Sequence, residues 1–490
     1  MDKGKIVFVT PPYERIAPGY EFVKHVTNAC PSLGLLSLAA QTRAHGYEPS
    51  IIESDIFNLT VDDVAKQIIR QNPAYVGLTL FTVGVGSGAE IARKVKAALP
   101  GAIIITGGPQ MSSMGRETME QFPEFDIAVV GEGEATLVAL LDKLRETGDV
   151  STVPGIIYRE GQILRATAPS GAYVALDELP MPAWDLLPQF PHAYRLAIYD
   201  FPQQPIATIA ASRGCPFLCK FCDTSTFGAK VRYLSAENVF AQMKHLKETW
   251  GVRHIQFVDD LWVANNARTE KLCHMLIESG MKMTWSCTAR VDKVSPGILA
   301  LMKKAGCWEI SFGLETGSPD LLLKMNKVIK IEKSEQALQW ANDAGIRTKG
   351  LFMLGYPGET LQTIEETLDF VTRVPLHFMN LSKFTPYPGT QIYRDIYGTN
   401  IRKEHWDMMN GMNFIVESDD LTIGEMDRQY KRLLTAFHRR PRIFYYYTRL
   451  TFENPEHFAR LLRFGLGFLK ARLKGALSAG KKPQPTPAEA

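Results

Sequence analysis

Three of the chain's seven cysteines, Cys215, Cys219 and Cys222, fall within eight positions in the stretch SRGCPFLCKFCD, Ser212–Asp223. Closely spaced thiolates in a short loop are the ligands of iron–sulfur clusters. Three ligands on a four-iron cube leave one iron without a protein ligand. Such an iron can chelate the amino and carboxylate groups of a small molecule. A structural zinc ion is the rival reading, and it normally takes four ligands. No fourth Cys or His lies in this loop, so the spacing points to a [4Fe–4S] cluster. Seven cysteines are an odd set, which suits a reducing, intracellular compartment better than a disulfide framework. Cys273, Cys287 and Cys307 read as core-packing residues.

A loop of this kind needs a rigid strand behind it. Apolar runs predict strands at Ile206–Ala211, His254–Val258, Met283–Cys287, Trp308–Phe312, Arg347–Met353 and Phe378–Lys383. Helical patterns such as Ala236–Thr249, Pro296–Ala305 and Leu361–Val374 fall between them. Six such units fit a partial (β/α)6 barrel, whose active site lies at the C-terminal strand ends. The cysteines directly follow the first of these strands.

An earlier series predicts strands at Lys5–Val9, Pro49–Glu53, Tyr75–Leu80, Ala102–Thr106 and Asp126–Val130. Helices are expected at Gly34–His45, Val61–Arg70, Ser87–Ala98, Met111–Gln121 and Glu134–Glu146. This alternation means a doubly wound, Rossmann-like parallel sheet, with ligands at the carboxyl ends of its strands. Glycines cluster at those ends, among them Gly107, Gly108, Gly131 and Gly133. The class is α/β, in four segments: 1–150, the sheet; 151–204, a hairpin near Gly155–Arg165 and a proline-rich linker; 205–395, the partial barrel; and 396–490, helical with a disordered tail.

Composition is ordinary for a globular chain: 490 residues, 45% hydrophobic, 22% charged, formal net charge +3. That charge is too small to argue for nucleic acid, and no zinc-finger or RNP-type motif supports it. The N-terminal MDKGKIVFVTPPYE reads as a first strand and not a signal peptide. No run of about 20 apolar residues predicts a membrane-spanning helix.

The cysteine motif, with Phe221 before its third cysteine, resembles the signature of the radical S-adenosylmethionine (SAM) superfamily. The resemblance implies that SAM binds the open iron and is cleaved to a 5′-deoxyadenosyl radical, which abstracts hydrogen from unactivated carbon. Further stretches are similar to that superfamily's strand ends. In FVDDLWVANN, Phe257–Asn266, Asp259 and Asp260 could accept hydrogen bonds from the SAM ammonium, or else cap the next helix. Arg290, in SCTAR, could pair with the SAM carboxylate or make a surface ion pair. Glu315, in GLETGS, suits the ribose hydroxyls or is a solvated loop charge. MLGYPGET (Met353–Thr360) and FTPYPGT (Phe384–Thr390) form tight loops that could face the substrate.

Taken together the chain resembles the cobalamin (B12)-binding subclass of radical SAM enzymes. Pro11–Pro12, PSLGLLSLAA (Pro31–Ala40), GLTLFT (Gly77–Thr82), GGPQ (Gly107–Gln110) and GEGE (Gly131–Glu134) carry the likeness. It implies cobalamin contacts at Thr79, Gly107, Gly108, Gln110, Gly131 and Glu132, where glycines let the backbone approach a flat corrin. One departure stands out. The Asp-x-His-x-x-Gly motif that ligates cobalt is missing, and the histidines of this segment, His25 and His45, lie outside that context. Cobalt would then have no histidine ligand; the rival reading is a domain that has lost cobalamin. SRGCPFLCKFC, the Asp pair and HRRPRIFYYYTRL (His438–Leu450) look closest to the group of the anaerobic Mg-protoporphyrin ester cyclase and related methylases.

The expected activity is a cobalamin-dependent radical SAM methyltransferase acting on an unactivated carbon of a natural product, lipid or tetrapyrrole. One SAM would methylate the cobalamin and a second would yield the substrate radical that takes up the methyl group. A cyclase or oxidoreductase with the same cofactors, or a non-enzymatic cobalamin or cluster sensor, are the alternatives. An external donor of flavodoxin or ferredoxin type would supply electrons. The expected location is the cytoplasm. In the C-terminal segment Phe458, Leu461, Leu462, Leu469 and Leu473 recur at helical spacing, with Arg460, Arg463, Lys470 and Lys474 on another face. Such a helix could touch the inner membrane surface; the favoured reading packs it on the barrel with a solvated basic face.

Overall fold

The computed structural model describes residues 3–13, 26–171, 173–398, 400 and 403–479, with side chains up to residue 470. The first unit runs β1 (Lys5–Thr10), α1 (Leu33–Ala44), β2 (Glu48–Glu53), α2 (Ser54–Phe57), α3 (Val61–Gln71) and β3 (Tyr75–Thr79). It continues through α4 (Val85–Ala98), β4 (Ile103–Gly107), α5 (Pro109–Gln121), β5 (Ile127–Val129) and α6 (Glu134–Glu146). β1 shows why this is a two-faced sheet. Ile6 and Phe8 enter one core while Val7 and Val9 enter the other, the period of two that a strand buried on both faces requires. Strands β2-β1-β3-β4-β5 lie in that order and all run parallel. The order reverses at β1/β3, which opens a crevice at the carboxyl ends of those strands.

The hairpin expected in the linker belongs to this sheet. β6 (Ile156–Glu160) pairs antiparallel with β5, and β7 (Ile163–Ala166) with β6, giving seven strands. The reason is burial: Ile156 and Ile157 are core residues. A two-stranded hairpin alone would leave them in water. The rest of the linker is ordered against both units, with Leu176, Trp184 and Leu187 in the same core cluster as Phe8 of the sheet and Ile209 of the barrel.

The second unit starts with β8 (Ile206–Ile209), β9 (Ser212–Arg213), β10 (Arg232–Tyr233), α7 (Ala236–Trp250), β11 (His254–Phe257) and α8 (Asn266–Glu278). β12 (Thr284–Ala289), α9 (Pro296–Lys304), β13 (Cys307–Glu315), α10 (Pro319–Lys324) and α11 (Ile331–Asp343) follow. β14 (Arg347–Leu354), α12 (Leu361–Arg373), β15 (Phe378–Lys383) and α13 (Gln391–Tyr397) complete it. Six of its strands form an open parallel sheet ordered β8-β11-β12-β13-β14-β15, the expected partial barrel. Cys273, Cys287 and Cys307 are all buried in its core.

The chain then turns helical: α14 (Ile423–His438), α15 (Pro441–Glu453) and α16 (Pro455–Ala479). Here the favoured reading holds in part: α16 docks on the protein and Arg463 and Lys470 are exposed, but the apolar stripe is not the face that docks. Arg460 is buried, whereas Phe458, Leu462 and Leu469 are exposed. The guanidinium finds backbone acceptors at the docking face, so the helix attaches by its polar side. The side chains of Leu473 and Lys474, the tail beyond residue 480, and His25 lie outside the described residues. No helix among the described residues is long and apolar enough to cross a membrane.

Candidate functional site

The cysteine loop leaves the short β9–β10 ladder. Gly214 has φ +88°, and a Cβ there would sit 2.5 Å from the Lys230 carbonyl oxygen, so only glycine makes the turn. The loop is pinned from the far side: Lys220 N–H donates to the Met325 carbonyl (3.0 Å) and Asn326 Nδ2 to the Leu218 carbonyl (2.7 Å). Cys222 N–H donates to the Cys219 carbonyl at 3.0 Å. The neighbouring Cys222 side chain, against the effect of burial and with help from Lys327 and Arg290, holds the Cys219 thiol down at about 7. The Cys219 side chain and burial push Cys222 up, and burial raises Cys215. Among the described residues no three His, Cys, Asp or Glu side chains converge on a single-ion site. Thiols spread along a loop, beside cations that favour thiolates, fit the separate corners of a cubane cluster.

The two adjacent aspartates part ways. Asp259 is buried and accepts from Ala211 N–H (3.1 Å) and the Ser212 hydroxyl (2.5 Å). Burial raises its carboxyl to about 6. Asp259 thus fastens the strand that leads into the cysteine loop. Asp260 lines the cavity beside Cys215. Neither caps α8, whose cap is Asn265. Arg290 stacks on Phe217 of the cysteine loop, 3.5 Å from the ring centroid, and pairs with Asp292 at 2.9 Å. Glu315, the last residue of β13, pairs with Lys327, whose ammonium lies 5.8 Å from the Phe221 ring. Phe221 packs beside the small core cluster of Leu321, Met325 and Tyr356. Arg290 and Glu315 therefore both bear on the cysteine loop, although neither lines the cavity.

That cavity encloses about 770 Å³ and is shared by the two units. Cys215, Cys222 and Asp260 border it from the barrel; Thr79, Gly107, Gly108 and Gly131 border it from the first sheet. Leu33, Leu38, Leu176, Leu179 and Pro182 give it apolar walls, the last three from the linker. The glycines differ in what they do. A Cβ on Gly108, at φ +93°, would meet Thr79 Oγ1 at 2.9 Å, so Gly108 lets β4's end pack on β3's. Beside Gly131 no atom lies within 4 Å of such a Cβ among the described residues, and it faces open space. Gln110 is buried in bonds to Thr82 and Thr118 and does not line the cavity. The loops at 353–360 and 384–390 do not line it either.

Glu132 borders the cavity, yet its carboxylate is occupied. Arg213 Nη1 donates to its Oε2 at 3.1 Å and Arg232 Nη1 donates to the same oxygen at 3.0 Å. Arg213 also reaches Glu134. These arginines bind the base of the cysteine loop to the segment leading into α6 and, through Arg213, to its first residue, a role the motif pattern did not reveal. An arginine two positions before the first cysteine of the motif is the one signal in the sequence that bears on it.

This architecture agrees with comparisons to known proteins. Residues 209–371 match the radical SAM superfamily and residues 22–141 match the B12 binding domain. The chain is a radical SAM enzyme. A B12-binding domain thus stands ahead of a radical SAM domain, and the cofactors of this pair are a [4Fe–4S] cluster, SAM and cobalamin. It is 28% identical over 442 residues to an uncharacterised methyltransferase of Pyrococcus horikoshii, covering 90% of this chain and 93% of that one. It is 26% identical to the anaerobic magnesium-protoporphyrin IX monomethyl ester cyclase of Rubrivivax gelatinosus, covering 86% and 75%. Its fold is similar to the radical SAM methyltransferase TsrM of Kitasatospora setae, solved with cobalamin and a [4Fe–4S] cluster bound. The TM-score is 0.65 at 18% identity, covering 81% of this chain and 75% of that one.

Proposed function

We propose that the protein is a cobalamin-dependent C-methyltransferase acting on an unactivated carbon of a natural product, lipid or tetrapyrrole. One observation carries this reading: the ends of both sheets open onto a single cavity, with Cys215 and Cys222 on one side and Gly107 and Gly131 on the other. Methyl transfer needs its donor, the substrate carbon and the radical source in one space. When bound, the cluster and SAM supply a carbon-centred radical and cobalamin supplies a transferable methyl group.

The chain's own residues then do the positioning. Cys215, Cys219 and Cys222 hold the cluster. Asp260 accepts from the SAM ammonium, while Arg290 and Glu315 exchange their present partners for its carboxylate and ribose. Thr79, Gly107 and Gly131 floor the corrin, and the apolar walls from Leu33, Leu38 and the linker exclude water from the radical. We assign cobalamin to residues 1–150 and the radical chemistry to 205–395, place the protein in the cytoplasm, and take a flavodoxin- or ferredoxin-type protein as its reductant.

Likeness to a methyltransferase over nine-tenths of the chain supports methyl transfer, and likeness to a cyclase keeps ring closure as the second reading. Anaerobic turnover separates them. S-adenosylhomocysteine together with 5′-deoxyadenosine is the expected result. 5′-Deoxyadenosine alone would assign the protein to the cyclase or oxidoreductase class, and neither product would leave a sensor.

A further inference from the structure

The last two helices carry their apolar residues on the outside. On α16, Phe458, Leu462, Leu466 and Leu469 are each between 51 and 57% exposed. Spaced i, i+4, i+8 and i+11, they fall within an arc of roughly 80° around the helix. The opposite side is the docked one. Arg460 donates to the carbonyls of Leu196 (2.9 Å) and Thr27 (3.0 Å), and His457 packs edge-on against Phe201, 4.7 Å between ring centroids. α15 widens the outward face. Phe444 and Phe452 are exposed, and Phe452 stacks on Phe458 at 6.3 Å, joining the two helices into one patch.

Charge singles out an occupant. Between Arg439 and Lys474 there are nine Lys or Arg against two Glu, a net +7 in a chain whose total is only +3. Arg463 and Lys470 stand exposed beside the apolar stripe. A second copy of the same face would meet like charge with like. An amphipathic helix with an apolar stripe and flanking cations instead lies flat in the interface of a negatively charged bilayer.

We propose that α15 and α16 form a peripheral docking surface for an anionic lipid bilayer. The surface lies at the end of the barrel where the strands begin. Asn454 donates to the Pro202 carbonyl and Gln204 donates to Glu456, both just ahead of β8. The cysteine loop is at the other end, so a docked molecule keeps its cavity turned from the lipid.

The test is flotation of the full-length, cluster- and cobalamin-loaded protein with two kinds of vesicle. One contains phosphatidylglycerol and phosphatidylcholine in equal parts, the other phosphatidylcholine alone. The protein is expected to float with the anionic vesicles, to be released by high salt, and to bind the neutral ones weakly. The variant Phe458→Ser/Leu462→Ser/Leu466→Ser is expected to lose at least about tenfold in partitioning, with unchanged iron content and a cooperative melt, because these side chains are more than half exposed. Arg463→Glu/Lys470→Glu should weaken anionic binding alone. Failure of the parent protein to float with anionic vesicles overturns the proposal. So does a dimer in solution that the triple variant dissociates, which would give this face to a second copy.

Discussion

Arg213 Nη2 donates to Glu134 Oε1 at 2.6 Å, tying a residue two positions before Cys215 to the first residue of α6. Glu134 also accepts from the Ser37 hydroxyl at 2.8 Å. Although burial opposes it, this pairing holds the Glu134 carboxyl below the usual carboxylate range. The side chains of Arg213 and Glu134 are only 13% and 6% exposed. At that depth a lost partner leaves a stranded charge. The bond fixes the cysteine-loop edge of one unit against the carboxyl-end edge of the first sheet.

Arg213→Met should therefore cost about 3–5 kcal/mol of stability, read by chemical denaturation. Adding Glu134→Gln should recover a large part of that loss, because the stranded charge goes with it. Strictly additive costs would show that the pair is not coupled.

Anaerobically reconstituted protein should hold about four irons. Changing Cys215, Cys219 and Cys222 together to Ala should abolish both the iron and SAM cleavage. Unchanged iron and sulfide in that variant would refute the cluster site.

Asp259→Asn and Asp260→Asn should separate. Asp259 holds Ala211 and Ser212, so its variant should lower the melting temperature. Asp260 faces the cavity, so its variant should keep iron and melting temperature and raise the SAM concentration needed for half-maximal cleavage. Equal melting temperatures for the two variants would contradict the division.

His45 ends α1, with Nδ1 2.9 Å from the Gln41 carbonyl, and does not line the cavity. His45→Ala should leave the absorption spectrum of bound cobalamin unchanged. His25→Ala should do the same; a shift with either would restore a histidine ligand to cobalt.

Glu359 sits buried behind β14, accepting from Gly355 N–H and the Thr363 hydroxyl. Burial, opposed by the hydrogen bonds from Thr363 and Gly355, raises its carboxyl to about 7 from 4.5. The folded state thus prefers the protonated acid. The resulting stabilisation is complete below the unfolded value and disappears as pH rises through about 7. Between pH 5 and 8 the parent should lose on the order of 3 kcal/mol relative to Glu359→Gln. Parallel stability curves for the two proteins would remove this role.

How much of this was legible beforehand follows from where each signal resides. The cysteine spacing, the two strand–helix series and the order of strand-end motifs are local in the chain. β15 begins and ends at the expected Phe378 and Lys383, and α6 at Glu134 and Glu146. Short-range periodicity is set by the backbone's own repeat. The placement of the hairpin was not local, because Ile156 and Ile157 are buried only by pairing with β5. Nor were the different duties of Asp259 and Asp260, since adjacent residues on a strand end point to opposite sides and only the neighbouring loop decides which side is core. The outward apolar face of α16 was least legible. Its pattern determined that one stripe is apolar and another basic, but which stripe meets the protein depended on the carbonyls of Thr27 and Leu196, some 430 and 260 residues away along the chain, waiting for Arg460. A buried guanidinium is tolerated only where such acceptors exist, and only the tertiary structure brings them there.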